Sequence, residues 1–348
     1  MHLLPGPKPD LPVSIVMPAR NAEATIGMAI QSCLSQTLPN FELVLVDHSS
    51  TDGTYSLMKK FARQDSRVQV VKARSGSSFI SAANQAWHEA QGELIARMDS
   101  DDFAYSAKLQ HQVRFLAENP DLGACATQVR IRKRAGGGPP DKGYADYETW
   151  INSVVSPADI ANQRFIDSPI PNPTALIRRS VLEKFDGYAD RVWAEDYDLW
   201  LRLMEAGVVI GKVERVLLDW YDSDSRATRQ QSRYSLENFQ LAKAHYLARL
   251  DPVIEKGVAI CGAGPIGKRI AKMLKAEGIF IEVFFEVNEK QIGNQIGGVP
   301  VIGSEGMAEM KNRVILLGAV GSPGGRQRIR DLALPLGFIE GEDFFCVA

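Results

Sequence analysis

Three groups of acidic residues and one run of glycines stand where they could do chemistry. Asp99, Ser100, Asp101 and Asp102 follow directly on the apolar run GELIARM. Carboxylate oxygens suit hard Mg²⁺ or Mn²⁺, and a metal so held binds phosphates in turn. The same residues also suit a turn that caps the helix expected over SAKLQHQVRFLAEN, so both readings stand. Asp47 opens DHSSTDGT at the end of another apolar segment. An Asp there can accept from the N–H or O–H of a base or ribose, and small neighbours let a nucleotide approach the backbone. An Asx turn capping the next helix is the alternative. Glu195 and Asp196 begin an expected helix just after Trp193. The helix dipole stabilises acids in that place, and a carboxylate there could also act as a general base toward a reacting hydroxyl. Finally, Gly262, Gly264 and Gly267 lie in GAGPIG, between the apolar VAIC and the helical pattern KRIAKMLKAEG. Glycines between strand and helix let a phosphate meet the backbone and the helix N-terminus. Glu286 ends the next strand, about 20 residues on, where it could bind ribose hydroxyls. A purely structural role for these glycines is the alternative.

These residues need elements to hold them. After a Pro-rich leader, apolar runs alternate with helical patterns: PVSIVMPAR, FELVLVDHSS, VQVVKARS and GELIARMDSDD read as strands. EATIGMAIQSCLSQ, SLMKKFARQ and SAANQAWHEA read as the helices between them. Such alternation implies a parallel sheet with helices on its faces, and ligands bind beyond the carboxyl ends of its strands. Arg20, Asp47, Arg74 and Asp99 fall at those ends. The middle is less regular. AGGGPPDKGYADY has the composition of a mobile loop, Ser156-Pro157 reads as a helix start, and SPIPNPTALIRRSVL reads as extended before a helix. WAEDYDLWLRLMEAG reads as a helix with Trp200, Leu203 and Met204 on its apolar face. A second strand–helix series runs from VAICGAGPIG through IFIEVFFEV and RVILLGAVG, with AHYLARLDPVIEKG as the joint.

Composition narrows the function classes. In 348 residues, 40 Lys and Arg face 42 Asp and Glu, for a formal charge of −2. After Asp251 the basic and acidic side chains balance, so neither part is a basic body suited to nucleic acid. No apolar run reaches the ~18 residues of a membrane span. The N-terminus has no secretory leader, which points to a cytoplasmic chain and leaves a peripheral membrane contact open. Cys33, Cys125, Cys261 and Cys346 lie far apart, which argues against a zinc knuckle or a disulfide framework.

The order of the motifs is more specific than any one of them. PARNAE, DHSSTDGT, DSDD and RRSVLEKFDGYADRVWAEDYDLWLRL, over about Leu11 to Arg249, resemble the family 2 glycosyltransferases of the GT-A fold. The resemblance implies an α/β chain with a GT-A nucleotide-sugar-binding domain over residues 1–250; GAGPIG and the later GGVPVIG resemble small Rossmann-like domains attached to sugar-modifying enzymes, so a small Rossmann-like α/β domain is expected over 251–348. The glycosyltransferase resemblance implies a metal-dependent, inverting transfer from a nucleotide-sugar to an acceptor hydroxyl, the acceptor being a glycan, a lipid-linked sugar or a protein. Carried over, Pro18, Arg20, Glu23 and Asp47 hold base and ribose, and Arg74 and Asn84 line the nucleotide and diphosphate. Asp99 lies nearer the ribose, Asp101 is on the Mg²⁺ or Mn²⁺ with Asp99, and Asp196 is the general base, with Glu195 helping to fix the acceptor. Gly262, Gly264, Gly267 and Glu286 would form a second nucleotide or NAD site. Two departures stand out. His48 occupies the place of a second acid after Asp47. The stretch LLDWYDSDSRATR lacks the downstream histidine that some members use on the metal, so Ser223, Asp222 or Asp224 would take its place, or Arg226 and Arg229 would offset the diphosphate charge. A nucleotidyltransferase and a non-catalytic nucleotide-sugar or NAD-binding protein are the competing readings; the missing Gly-rich, Lys/Arg-bearing loop after the first strand counts against the former.

Overall fold

The computed structural model describes residues 13–74, 76–134, 141–222 and 231–348. Contacts divide the chain into two units, neither of them continuous in sequence. Unit 1 comprises Met1–Pro157, Ile170–Asp190 and Ala206–Arg226; unit 2 comprises Ala158–Pro169, Arg191–Glu205 and Ala227–Ala348. This differs from a single boundary after residue 250. The helix Glu195–Glu205 groups with the C-terminal part because Ala194, Tyr197 and Leu201 share a core with Ala242, Tyr246, Val258 and Ile260.

Unit 1 is built on strands β1 (Val13–Ala19), β2 (Phe41–Asp47), β3 (Val68–Lys72), β4 (Leu94–Arg97), β5 (Phe103–Ala104), β6 (Leu122–Lys133), β7 (Leu176–Arg178) and β8 (Val209–Asp222). They form one sheet in the order β3-β2-β1-β4-β7-β6-β8-β5. β1 pairs in parallel with β2 and with β4, and β2 in parallel with β3, so four carboxyl ends share one edge. Strand order turns back at β1, and that is where a crevice opens beyond the carboxyl ends. All seven residues of β1 are buried, as a strand covered on both faces requires. Helices Ile26–Leu34, Thr54–Gln64 and Phe79–Glu89 form where the helical pattern of the sequence places them.

The irregular middle holds more structure than its composition suggests. β6 and β8, of 12 and 14 residues, pair in parallel along almost their whole length, with bulges near Thr127–Val129. The second half of the supposed mobile loop is helix Lys142–Ser153, whose Tyr144, Tyr147 and Trp150 pack on the unit 1 core. That corrects the loop reading for residues 141–147; residues 135–140 lie outside the described residues.

Unit 2 carries β9 (Val258–Cys261), β10 (Ile281–Glu286), β11 (Gln295–Ile296), β12 (Val299–Gly303), β13 (Ile315–Gly318) and β14 (Phe344–Cys346), in the order β11-β12-β10-β9-β13-β14. All pairings are parallel except β11 with β12. Here too the order turns back at the first strand, β9, which has β10 on one side and β13 on the other. No helix among the described residues is long and apolar enough to cross a membrane.

Candidate active site

The carboxyl edge of unit 1 is shaped first by a proline. In a parallel ladder, pairing Val16 with Arg97 means that residue 18 should donate its N–H to the carbonyl of Met98. Pro18 has no N–H, so the β1–β4 ladder stops there. The buried Arg97 guanidinium donates to the Met98 carbonyl instead. Its other nitrogen lies 2.7 Å from Asp99 Oδ1. One side chain thus ends the strand and orients the first acid of the next turn.

The loops after β1 and β2 are laced to each other. Thr54 Oγ1 accepts from Ala22 N at 2.7 Å, Asn21 Oδ1 from Thr51 N at 2.8 Å, and Asp52 Oδ2 from Glu23 N at 3.1 Å. Glu23 Oε2 returns the bond by accepting from Gly53 N at 2.9 Å. These bonds to hydroxyl and amide hold the Asp52 carboxyl below the usual range, the Thr54 hydroxyl acting most strongly. Asn21 and Ser49 sit at φ values of +49° and +54°, in the left-handed region, and the bond from Thr51 N holds the Asn21 side chain there. Glu23, expected on base or ribose, is therefore also a tie between loops. Arg20 is exposed at the rim. Asp47 is only 4% exposed, and its Oδ1 has no hydrogen-bond partner.

Arg74 is exposed after β3 and lines a cleft of about 570 Å³, with Ser81, Gln85, His88, Tyr188 and Asp190 on its walls. Asn84 also borders this cleft, but its amide is occupied. Its Nδ2 donates to Tyr188 O at 2.8 Å and its Oδ1 accepts from Tyr188 N at 2.9 Å. A Cβ on Gly187 would come within 2.5 Å of that Oδ1, which is why a glycine with φ of +58° precedes Tyr188. Asn84 therefore builds the floor of the cleft.

The turn after β4 brings Asp99, Asp101 and Asp102 together. One oxygen from each lies within 4.8 Å of the others, close enough for a shared hard cation. Asp102 is fully buried and its Oδ1 accepts from Tyr221 N at 2.9 Å, which ties the turn to the end of β8. The backbone carbonyl of Asp101 accepts from Arg134, whose guanidinium lies 4.7 Å from the Tyr221 ring. The buried Lys108 donates to Pro173 O at 2.9 Å; burial brings its ammonium down to about 8, against the opposing pull of nearby acidic groups, Asp102 among them. Asp102 was part of the sequence motif, but its place beside the other two acids is set by β8. Arg97 carried no sequence signal, because a lone Arg at a strand end reads as surface. Ser223, Asp224, Arg226 and Arg229 lie outside the described residues. Asp222 is buried and is not in the acidic cluster.

Asp196 lies in unit 2, in the first turn of helix Glu195–Glu205. Its neighbours are committed to structure. Glu195 accepts from Tyr234 Oη at 2.9 Å, and Asp198 accepts from Trp193 Nε1 at 2.9 Å and Tyr246 Oη at 2.8 Å. Asp196 is half-buried, and its Oδ1 accepts from Tyr197 N at 2.7 Å. Of the three acids in this turn it is the most exposed to solvent.

The glycine run of unit 2 divides by role. Helix Pro265–Ala276 begins within it. A Cβ on Gly267 would come 1.9 Å from Gly262 O, and one on Gly262, at φ of +106°, 2.7 Å from a Val320 methyl. Both glycines are thus required by packing. A Cβ on Gly264 would meet nothing within 4 Å. Glu286 Oε2 accepts from Ala263 N at 2.9 Å, and Oε1 accepts from Val287 N at 2.9 Å and Asn288 N at 3.2 Å. Its carboxylate is turned inward onto its own loops.

Comparison with known proteins fits this geometry. The profile described as Glycosyl transferase family 2 matches residues 14–186. A putative glycosyltransferase, EpsE of Bacillus subtilis, is 29% identical over 237 residues, covering 67% of this chain and 80% of its own. The Escherichia coli UDP-Glc:alpha-D-GlcNAc-diphosphoundecaprenol beta-1,3-glucosyltransferase WfgD is 30% identical over 202 residues, which is 56% of this chain and 71% of that one. Among solved structures, S. aureus TarS with UDP-GlcNAc aligns with a TM-score of 0.54 at 18% identity, over 76% of this chain and 72% of that chain. That likeness establishes the GT-A fold.

Proposed function

The chain belongs to glycosyltransferase family 2, and from that premise we propose that it transfers a sugar, with inversion, from a nucleoside-diphosphate donor to a hydroxyl of a lipid-linked glycan acceptor. The observation that carries this is the turn-back crevice of unit 1, where a buried Asp47 oxygen without a partner and three clustered carboxylates meet at one sheet edge. Pro18, Arg20, Glu23 and Asp47 hold base and ribose, Asp99 faces the ribose, and Arg74 meets the diphosphate. Asn84 positions the cleft floor. Asp101 and Asp99 would hold a divalent cation, joined by Asp102; when bound it supplies Lewis-acid neutralisation of the leaving diphosphate.

Chemistry at the sugar is a displacement. The acceptor oxygen forms a bond to the anomeric carbon while the bond from that carbon to the diphosphate breaks. Asp196 takes the acceptor's hydroxyl proton, and the nucleoside diphosphate leaves. With an oxocarbenium-like transition state, positioning and preorganised charge do most of the work. The lipid-linked acceptor rests on the E. coli relatives WfaP and WfgD, whose names give a diphosphoundecaprenol-linked GlcNAc as acceptor. Incubation with a panel of nucleotide-sugars and Mn²⁺, with and without a GlcNAc-diphosphate lipid, tests the proposal. Acceptor-dependent release of free nucleoside diphosphate is expected. Release of sugar 1-phosphate, with the nucleotidyl group passed on, would instead mark a nucleotidyltransferase, and binding without release a non-catalytic protein.

For unit 2 a second nucleotide or NAD site rests on Gly264, the one glycine of the run that packing does not explain. Titration of the full chain with NAD should reveal a site that Gly264→Val removes. If the parent shows no such binding, Gly262, Gly264 and Gly267 serve the fold alone.

A further inference from the structure

Two segments of unit 2 are tied to the acids that neighbour Asp196. Trp193 donates to Asp198 Oδ1 at 2.9 Å, and its ring packs on that of His245 at 5.3 Å. Tyr234 donates to Glu195 at 2.9 Å, and Ser235 caps helix Leu236–Leu247 by accepting from Asn238 N at 3.2 Å. The residues next to these anchors are turned out. Val192 is 62% exposed and Leu236 60% exposed. Arg191 Nε stands 3.9 Å from Asp198 Oδ1, and Arg233 Nη1 stands 3.9 Å from Glu195 Oε2. Both distances are beyond hydrogen-bond reach, because the carboxylates are already taken: Asp198 Oδ1 by Trp193 and Tyr246, Glu195 by Tyr234. The Arg191 side chain is half exposed. An arginine and an exposed apolar side chain thus recur at each anchor: Arg191 with Val192, and Arg233 with Leu236.

We infer that these pairs receive the diphosphate and the first isoprene units of a lipid-linked acceptor, the arginines meeting the phosphates and Val192 and Leu236 the chain. This rests on the lipid-linked acceptor and on Asp196 as the base, both proposed above. In such an acceptor one sugar ring separates the reacting hydroxyl from a diphosphate, and the chain follows directly. A base that meets the hydroxyl therefore has the charge of a diphosphate and an apolar chain close by. The carboxylates of Glu195, Asp196 and Asp198 repel that charge. Planar guanidiniums offset the repulsion and match phosphate oxygens two at a time. Apolar side chains left in water gain by covering the chain. A glycan acceptor without a diphosphate lipid needs neither.

Calorimetric titration of the full chain tests this with three probes below their micelle concentrations: GlcNAc diphosphate with a decyl ester, the same diphosphate with a methyl ester, and decyl GlcNAc glycoside. The parent should bind the first about tenfold or more tighter than either of the others, one difference reading charge-assisted contacts and the other buried methylenes. Arg191→Gln should remove most of the advantage over the glycoside, and Arg191→Lys should restore part of it. Neither should move the affinity for the glycoside, which a merely structural role would lower too. Val192→Asn combined with Leu236→Asn should remove the advantage over the methyl ester. UDP with Mg²⁺ should bind every variant as it binds the parent. Weaker UDP binding by Arg191→Gln would assign that arginine to the donor diphosphate and overturn the inference. Equal binding of the two decyl compounds by the parent would mark a general apolar surface and overturn it as well, as would a parent that binds none of the three. The expected binding with no nucleoside diphosphate release from any sugar donor would uphold this site and defeat the transfer reading alone.

Discussion

The two sheets of this protein share a topology and differ in what their acids do. Each turns back at its first strand, β1 or β9, and each sets a loop and a helix beyond the carboxyl end of that strand. In unit 1 the acids at this edge point to a ligand: Asp47 has an oxygen without a partner, and Asp99, Asp101 and Asp102 crowd within 4.8 Å. Their mutual repulsion has to be offset, by Arg97 and Lys108 in part. In unit 2 the corresponding acid, Glu286, accepts three backbone N–H groups and so holds its own loops. Topology makes a crevice available; the hydrogen-bond partners of its carboxylates decide whether it is kept for a ligand or used up by the fold.

The sharpest break in that comparison is Asp101→Asn. Transfer should fall by ~10²–10³-fold while the thermal midpoint holds or rises, since like-charge repulsion is relieved. Nucleoside diphosphate release and thermal unfolding on one sample read both. A variant that turns over normally would put the acids of unit 1 in the same structural class as Glu286.

Asp196→Asn follows, with a loss of ~10²-fold or more in transfer and unchanged donor affinity, the scale of a missing general base. Donor titration beside initial rates separates the two, and near-parental rates would make Asp196 a helix-terminus acid only.

In unit 2 the same kind of substitution should act on stability and leave transfer alone. Gly267→Ala drives a Cβ to 1.9 Å from a carbonyl oxygen and should cost about 3 kcal/mol. Gly264→Ala should stay within about 0.5 kcal/mol, and Glu286→Ala should cost ~1–2 kcal/mol by freeing three amides. Denaturant midpoints for the three test that ranking.

The last effect is a pH dependence outside both crevices. Lys212 is buried, donates to Ile151 O at 2.7 Å, and is brought down to about 7 by burial. Its folded-state value lies below the unfolded one, so between them the unfolded chain binds the extra proton, and stability rises with pH from about 7 toward 10. Lys212→Met should flatten that rise when midpoints at pH 7 and pH 9 are compared with the parent. A parallel shift in the two proteins would mean that Lys212 stays charged in the fold.

Much of this was legible in the sequence because the signals are local. Period and β-branching give the strands β1 to β4 and the helices between them, and the short-range runs PARNAE, DHSSTDGT and DSDD follow those strands. β6 and β8 were not legible. Their stability comes from pairing across some 87 residues of chain, Leu122 with Val209, and LGACATQVRIRK alone shows no clean alternation. The helix Lys142–Ser153 escaped for a related reason: its aromatics are explained only by the core that they cover.

By itself, then, the sequence determined the family, the parallel strand–helix series and the residue types at each strand end. Tertiary structure decided the division into units, which puts the Asp196 helix with the C-terminal sheet through a shared apolar core. It decided that Arg97 replaces the donor Pro18 lacks, that Asn84 is taken by Tyr188, and that Glu286 faces inward while Asp47 keeps an oxygen without a partner. The physical reason is common to all four. A residue's type fixes what it can donate or accept, whereas which groups remain to be satisfied depends on neighbours that the chain brings together only on folding.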